Sequence, residues 1–218
     1  MIREGSFVDL LLLGAGLSSA FVTGVIATRP GLGHRAASTP KLTLTCLGVI
    51  ATVSGAQLVF APWLLPLMMR DAAEVSLGQP WRLATSLFVQ DGGWTGAVFN
   101  LVGLLAIGTV AELLLRPRRW AIVAMVSVAS AQAAALWWQP VGAGNSILNF
   151  GLAGAVCARG WLGGRRRRLL APAVTASLCF GFLLAGHDIH GVAAISGALV
   201  AAALELGWPT QHTHGACN

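Results

Sequence analysis

The chain has 218 residues, 56% of them hydrophobic and 10% charged, with a mean hydropathy of +0.72. Soluble domains carry about 25% charged residues, and disordered chains combine low hydrophobicity with high charge; both classes are excluded. What remains is a polytopic membrane protein, in which each helical span needs about 20 apolar residues.

Seven apolar segments follow in chain order, near 8–28, 42–61, 95–115, 120–138, 144–162, 169–186 and 191–208. A stretch of mixed polarity, Pro62–Trp94, rich in Trp and Pro, separates the second from the third. It reads as an interfacial loop lying partly in the outer leaflet. Each segment is long enough for a hydrocarbon core of about 30 Å, although those at 144–162 and 169–186 are short. The first is a span and not a signal peptide, because its basic flank follows the apolar run and no small-residue cleavage site is evident.

Basic residues set the orientation. Arg29, Arg35, Lys41, Arg116, Arg118, Arg119, Arg159 and Arg165–Arg168 fall in one alternate set of connections, and only Arg3, Arg70 and Arg82 in the other. The amino terminus is therefore expected outside and the carboxyl terminus in the cytoplasm, in a multi-pass protein of the cell membrane. The net charge of +6 and a pI near 10.5 reflect topology and contact with anionic lipid, not nucleic-acid binding. Cys46, Cys157 and Cys179 lie in apolar stretches and Cys217 stands beside the last residue. Their spacing suggests no disulfide framework, and a buried free thiol acts as a small hydrophobe.

Polar side chains within spans are functional candidates: Asp9, Gln57, Asn100, Glu112, Gln132, Asn145, Ser146, Asn149, His190 and Glu205. The spans beginning near 95, 144 and 191 run in the same direction, which puts Asn100, Ser146 and His190 at one shallow outer depth. Glu112 and Glu205 fall near inner ends, within reach of water or the basic connections, and Gln57 and Gln132 have no obvious partner. A serine becomes a nucleophile when a neutral imidazole takes its proton, and an imidazole with an ordinary pKa of about 6.5 is largely neutral at pH 7. The run Gly142-Ala143-Gly144-Asn145-Ser146 leads flexibly into a helix, whose first N–H groups can stabilise an oxyanion. The Asn100 amide is a second donor. Singly, each residue also has a structural reading: Ser146 as small packing residue, Asn100 as interhelical glue, His190 as a solvated interfacial side chain.

Across about residues 42–206 the sequence resembles the rhomboid intramembrane serine proteases. Pro80-Trp81-Arg82-Leu83-Ala84-Thr85 is similar to the Trp-Arg-x-x-Thr element of that family's first external loop. Phe99-Asn100-Leu101 and Gly108-Thr109-Val110-Ala111-Glu112 resemble its second core helix. Gly144-Asn145-Ser146 with Phe150-Gly151-Leu152 and Gly154-Ala155 resembles the nucleophile helix, and His190 with Gly197 resembles the last. The implied fold is an all-α polytopic membrane protein, a six-helix rhomboid-like core plus one extra N-terminal transmembrane helix. Residues 1–40 would be that helix and its cytoplasmic connection, 41–208 the core with external loop 62–94, and 209–218 a cytoplasmic tail.

The resemblance implies a Ser–His dyad without a third carboxylate, with Ser146 as nucleophile, His190 as general base and acid, and Asn100 in the oxyanion hole. It implies no cofactor, and partners that are transmembrane protein substrates in a lipid bilayer, cleaved near their outer ends. Gly96, Gly144, Gly197, Trp81 and Arg82 are the expected structural residues near the site, Trp81 as an interfacial anchor. Three departures stand out: Gly96 where the family has His, Ile147 where it has Gly, and Ile189 and Ala193 around the histidine. Gly96 and Ile147 favour an alternative, an inactive rhomboid-like protein that binds transmembrane partners. A transporter would need polar residues on a path to both faces, whereas these cluster at one.

His187 is the rival base; Asp188, next but one to His190, is not expected to face it, as near neighbours on a helix diverge. His187 with His190, or His212, His214 and Cys217, have metal-ligand types. The plainer reading is no metal and a flexible tail.

Overall fold

The computed structural model describes residues 7–28, 39–162 and 166–206. Arg3, Arg29, Arg35, Arg165 and the tail with His212, His214 and Cys217 lie outside the described residues, as do the side chains of Asp9, Arg166, Arg167 and Arg168.

The described chain is almost entirely helical. Helix α1 (Phe7–Thr28) and α2 (Lys41–Val59) precede a loop holding the short helices α3 (Leu64–Met68), α4 (Ala72–Ser76) and α5 (Arg82–Thr85). Helix α6 spans Gly93–Leu115 with a π-helical turn at Leu104–Gly108. Then come α7 (Pro117–Trp138), α8 (Ser146–Leu162), α9 (Arg166–Ala185) and α10 (Ile189–Leu206). Among the described residues, α1, α2, α6, α7 and α10 are long and apolar enough to cross a membrane. Helix α8 has only 17 residues and α9 begins in arginines, which is why those segments looked short.

Helix α8 forms the centre. It is buried almost throughout, from Ile147 to Cys157, and packs on α10, α7, α1, α9 and α6. The approach to α10 is governed by glycine. A Cβ on Gly197 would overlap the Gly151 carbonyl, and one on Gly154 would overlap the Ala194 carbonyl. Small residues let helix backbones approach closely in apolar surroundings, where dispersion and short contacts hold helices together. Helix α1 packs on α9, α8 and α6, with Ala20 and Thr23 buried and Gly24 pressed against Val110 and Val156.

Buried polar groups away from the loop are paired. Glu112 accepts from the Leu42 and Thr43 N–H groups (3.1 and 2.9 Å) and the Thr43 hydroxyl (2.9 Å), so it caps α2. Glu205 does pair with arginines, Arg119 at 2.6 Å and Arg159 at 3.2 Å. The π-helical turn is tied to α7 by the Trp120 indole, which donates to the Gly108 carbonyl (3.1 Å).

The loop is fastened to the strand that leads into α8. Two-residue strands β1 (Arg70–Asp71) and β2 (Val141–Gly142) pair antiparallel, Arg70 opposite Gly142. Buried Arg70 donates to the Gln132 side chain (2.6 Å) and through two nitrogens to the Gln139 carbonyl (3.2 and 2.9 Å). Gln132 also donates to Ser86 Oγ (2.9 Å), so the glutamine without an obvious partner is the link between α7 and the loop.

Overpacking a tight contact costs about 1–3 kcal/mol, more where backbone must move. Gly154→Val is therefore expected to lower the thermal midpoint in detergent, whereas Gly48→Ala, whose added Cβ meets nothing within 4 Å, is expected to leave it nearly unchanged.

Candidate active site

The close packing of α8 on α10 brings the first turns of both helices to one end of the bundle. Ser146 begins α8 and His190 is the second residue of α10. His190 Nε2 lies 2.7 Å from Ser146 Oγ, a hydrogen bond of ordinary length for proton transfer. The rings of Phe150 and His190 meet edge to face at 5.0 Å, and Phe150 in turn contacts Phe180 of α9 at 5.9 Å, which walls the imidazole from the bundle side. His187, the rival base, instead packs its ring edge on Trp138 at 5.0 Å.

Asp188 departs from expectation. Its Oδ1 lies 2.6 Å from His190 Nδ1 and accepts the His190 backbone N–H at 2.8 Å. The expected divergence holds for residues inside a helix, but Asp188 precedes α10 as its cap. The chain reaches it through His187 in the left-handed region (φ 59°). A capping side chain folds back onto the N–H two residues ahead, and that is where the imidazole stands. Burial pushes the Asp188 carboxyl up, but hydrogen bonds from His190 and Gln139 outweigh it and hold the pKa below the usual carboxylate range. An Asp just before an apolar run is a helix-start signal, and it could have exposed this contact.

Asn100 lines the same cavity as Ser146 and His190, a space of about 580 Å³ that also touches Gly96, Trp138 and His187. Its amide donates to Gln90 Oε1 (2.7 Å), and its backbone carbonyl accepts from Asn145 (3.1 Å) and Asn149 (2.9 Å). Gln90, which composition and spacing did not single out, is the hub. It donates to Asn145 Oδ1 (3.1 Å) and Ser54 Oγ (3.2 Å), and its backbone N–H donates to Gln57 (2.9 Å). Gln57 thus has its partner in the loop. Gly144, at φ +124°, passes so close to Asn100 Nδ2 and Gln90 Oε1 that a Cβ would intrude between them, and its N–H donates to the Ser86 carbonyl (2.8 Å).

The other expected residues take distinct places. Gly96 borders the cavity with nothing within 4 Å of an added Cβ. Ile147 lies buried in regular α8, outside the positive-φ region, so its branched side chain imposes no backbone strain. Gly197 belongs to the α8–α10 seam and not to the site itself. Arg82 is buried and holds the loop, donating to Gln79 Oε1 (2.8 Å) and the Pro66 and Met69 carbonyls (2.7 and 3.2 Å). Trp81 beside it is exposed, as are Trp63, Trp94 and Trp137. Across the cavity, Asp91 accepts the Ala143 N–H (2.8 Å); burial lowers the Arg70 pKa to about 10, with Asp91 pulling it upward.

Among the described residues no three His, Cys, Asp or Glu side chains converge as metal ligands. His187 and His190 are committed to different neighbours, one to the Trp138 ring and the other to Ser146 and Asp188.

Among curated proteins, none matches the chain. The rhomboid domain family matches residues 77–208, more than half of the sequence, and reaches from within the long loop to the end of α10. With its helical architecture and its apolar helices of membrane-spanning length, the chain is a multi-pass membrane protein that belongs to the rhomboid family.

Proposed function

We propose that this protein is an intramembrane serine endopeptidase that cuts transmembrane segments of other membrane proteins near their outer ends. The observation that carries this reading is the 2.7 Å contact between Ser146 Oγ and His190 Nε2 at the wall of a cavity large enough for a peptide segment.

Ser146 Oγ attacks a peptide carbonyl while His190 Nε2 takes the hydroxyl proton. The carbonyl oxygen becomes the oxyanion, held by the N–H groups that open α8 and by the Asn100 amide. Collapse breaks the C–N bond, and His190 delivers its proton to the leaving amine. Water then attacks the acyl-serine, His190 takes one of its protons, and the acid product leaves with Ser146 reprotonated. Helical backbone in lipid is fully hydrogen-bonded, so a substrate must unwind locally, which favours Gly, Ala, Ser or Pro near the cleaved bond. The distribution of arginine and lysine supports an extracytoplasmic position for the cavity, with Trp81 and the other exposed tryptophans at the interface.

A second reading, a rhomboid-like protein that grips transmembrane partners without cutting them, is favoured by one observation. Gly96 leaves empty the space where the family's oxyanion-binding histidine would project.

Two experiments test the assignment. Purified wild type is expected to cleave a model substrate with a Gly/Ala-rich outer segment, and Ser146→Ala and His190→Ala to lose at least about 10³-fold in rate. No cleavage by folded wild type supports the binding reading. Gly96→His places a donor in open space beside Asn100 and is expected to raise kcat about tenfold or more, since one oxyanion donor is worth ~10²–10³ when fully aligned. An unchanged kcat removes the oxyanion argument for Asn100.

A further inference from the structure

Asp188 is more than a helix cap. Its Oδ1 makes two contacts, one with the His190 backbone N–H at 2.8 Å and one with Nδ1 at 2.6 Å. Which imidazole nitrogen carries the proton is set by what the other nitrogen meets. A carboxylate oxygen at Nδ1 accepts a hydrogen bond, so it places the proton there and leaves the Nε2 lone pair facing Ser146 Oγ. The same anion stabilises the imidazolium that forms when the hydroxyl proton arrives.

The carboxylate is itself held. Gln139, the residue after α7, stabilises its charged form, and the Gln139 carbonyl accepts two bonds from buried Arg70, which also binds Gln132. The loop is therefore tied to the end of α7 beside the carboxylate and the imidazole. A residue serving only to cap α10 has no need of this support.

We propose that Asp188 is a positioning residue for the reaction, a third member beside Ser146 and His190 that selects the Nδ1–H tautomer of His190. This inference rests on the endopeptidase reading for its kinetic consequences but not for the tautomer. The histidine would then be oriented by a carboxylate from its own helix cap, and the pair implied by the family resemblance becomes a triad in this chain.

The test uses the full-length protein and Asp188→Asn, because asparagine caps a helix as well as aspartate does but carries no charge. The thermal midpoint is expected to stay within a few degrees of wild type. Cleavage is expected to fall about tenfold or more in kcat, with little change in KM, as replacing an orienting carboxylate by its amide permits the wrong tautomer. His187, Arg70 and Asp91, the other titratable groups lining the cavity, are unaltered in the variant. In protein carrying 15N-labelled histidine, the His190 ring, assigned with His190→Gln, is expected to be protonated at Nδ1 in wild type and to lose that preference in Asp188→Asn. A fall of less than tenfold in kcat overturns the proposal. If the folded wild type cleaves nothing, the endopeptidase reading fails and the nitrogen spectra still decide this one: the same tautomer in both proteins overturns it.

Discussion

The close approach of α8 to α10 is the constraint on which the rest depends. Where a Cβ on Gly154 of α8 or Gly197 of α10 would run into the facing backbone, the helices are held at a separation that side chains cannot widen. Ser146 and His190 stand at the same end of this seam, so their separation is a consequence of backbone packing. Neither residue needs a mobile loop to find the other. Helix α8 can be short and polar at its start because its neighbours bury it, and Asn145 and Asn149 are fully buried with hydrogen-bond partners on α6 and in the loop.

A second layer fixes how the seam ends. Buried amides are costly in an apolar interior unless paired, and here Gln57, Gln90, Asn100, Asn145 and Asn149 satisfy one another and nearby carbonyls. The network joins α2, α6, α8 and the loop around Gly144, whose positive φ lets the chain turn into α8 without a side chain between Asn100 and Gln90. Arg70 does the equivalent on the other side of the cavity, tying the loop to the end of α7. The cavity is thus bounded by hydrogen-bonded backbone on one side and by Ser146 and the imidazole on the other.

Much of this was legible in the sequence. Apolar run lengths marked the long helices closely, as in Lys41–Val59 against an expected 42–61, and the family motifs pointed to the rhomboid fold. Parallel running of three segments brought Asn100, Ser146 and His190 to one depth, which requires only counting spans. Partnerships across the bundle were less legible. Gln57 and Gln132 lacked partners on paper because those partners lie in the loop, where no period constrains position. Gln90 went unremarked for the same reason. Asp188 was misjudged because its spacing to His190 was read as helical, when a left-handed His187 places it outside the helix. Ile147 departs from the family pattern, and the structure has it in ordinary helical conformation.

The central claim is that the Ser146 hydroxyl is activated by the imidazole it touches. A fluorophosphonate probe reacts with an activated serine irrespective of any protein substrate, so mapping the adduct by mass spectrometry in wild type and His190→Ala reads that activation directly. The account predicts covalent labelling of wild type at Ser146 and little or none in the variant. Folded wild type that stays unlabelled, or equal labelling of both proteins, would contradict it.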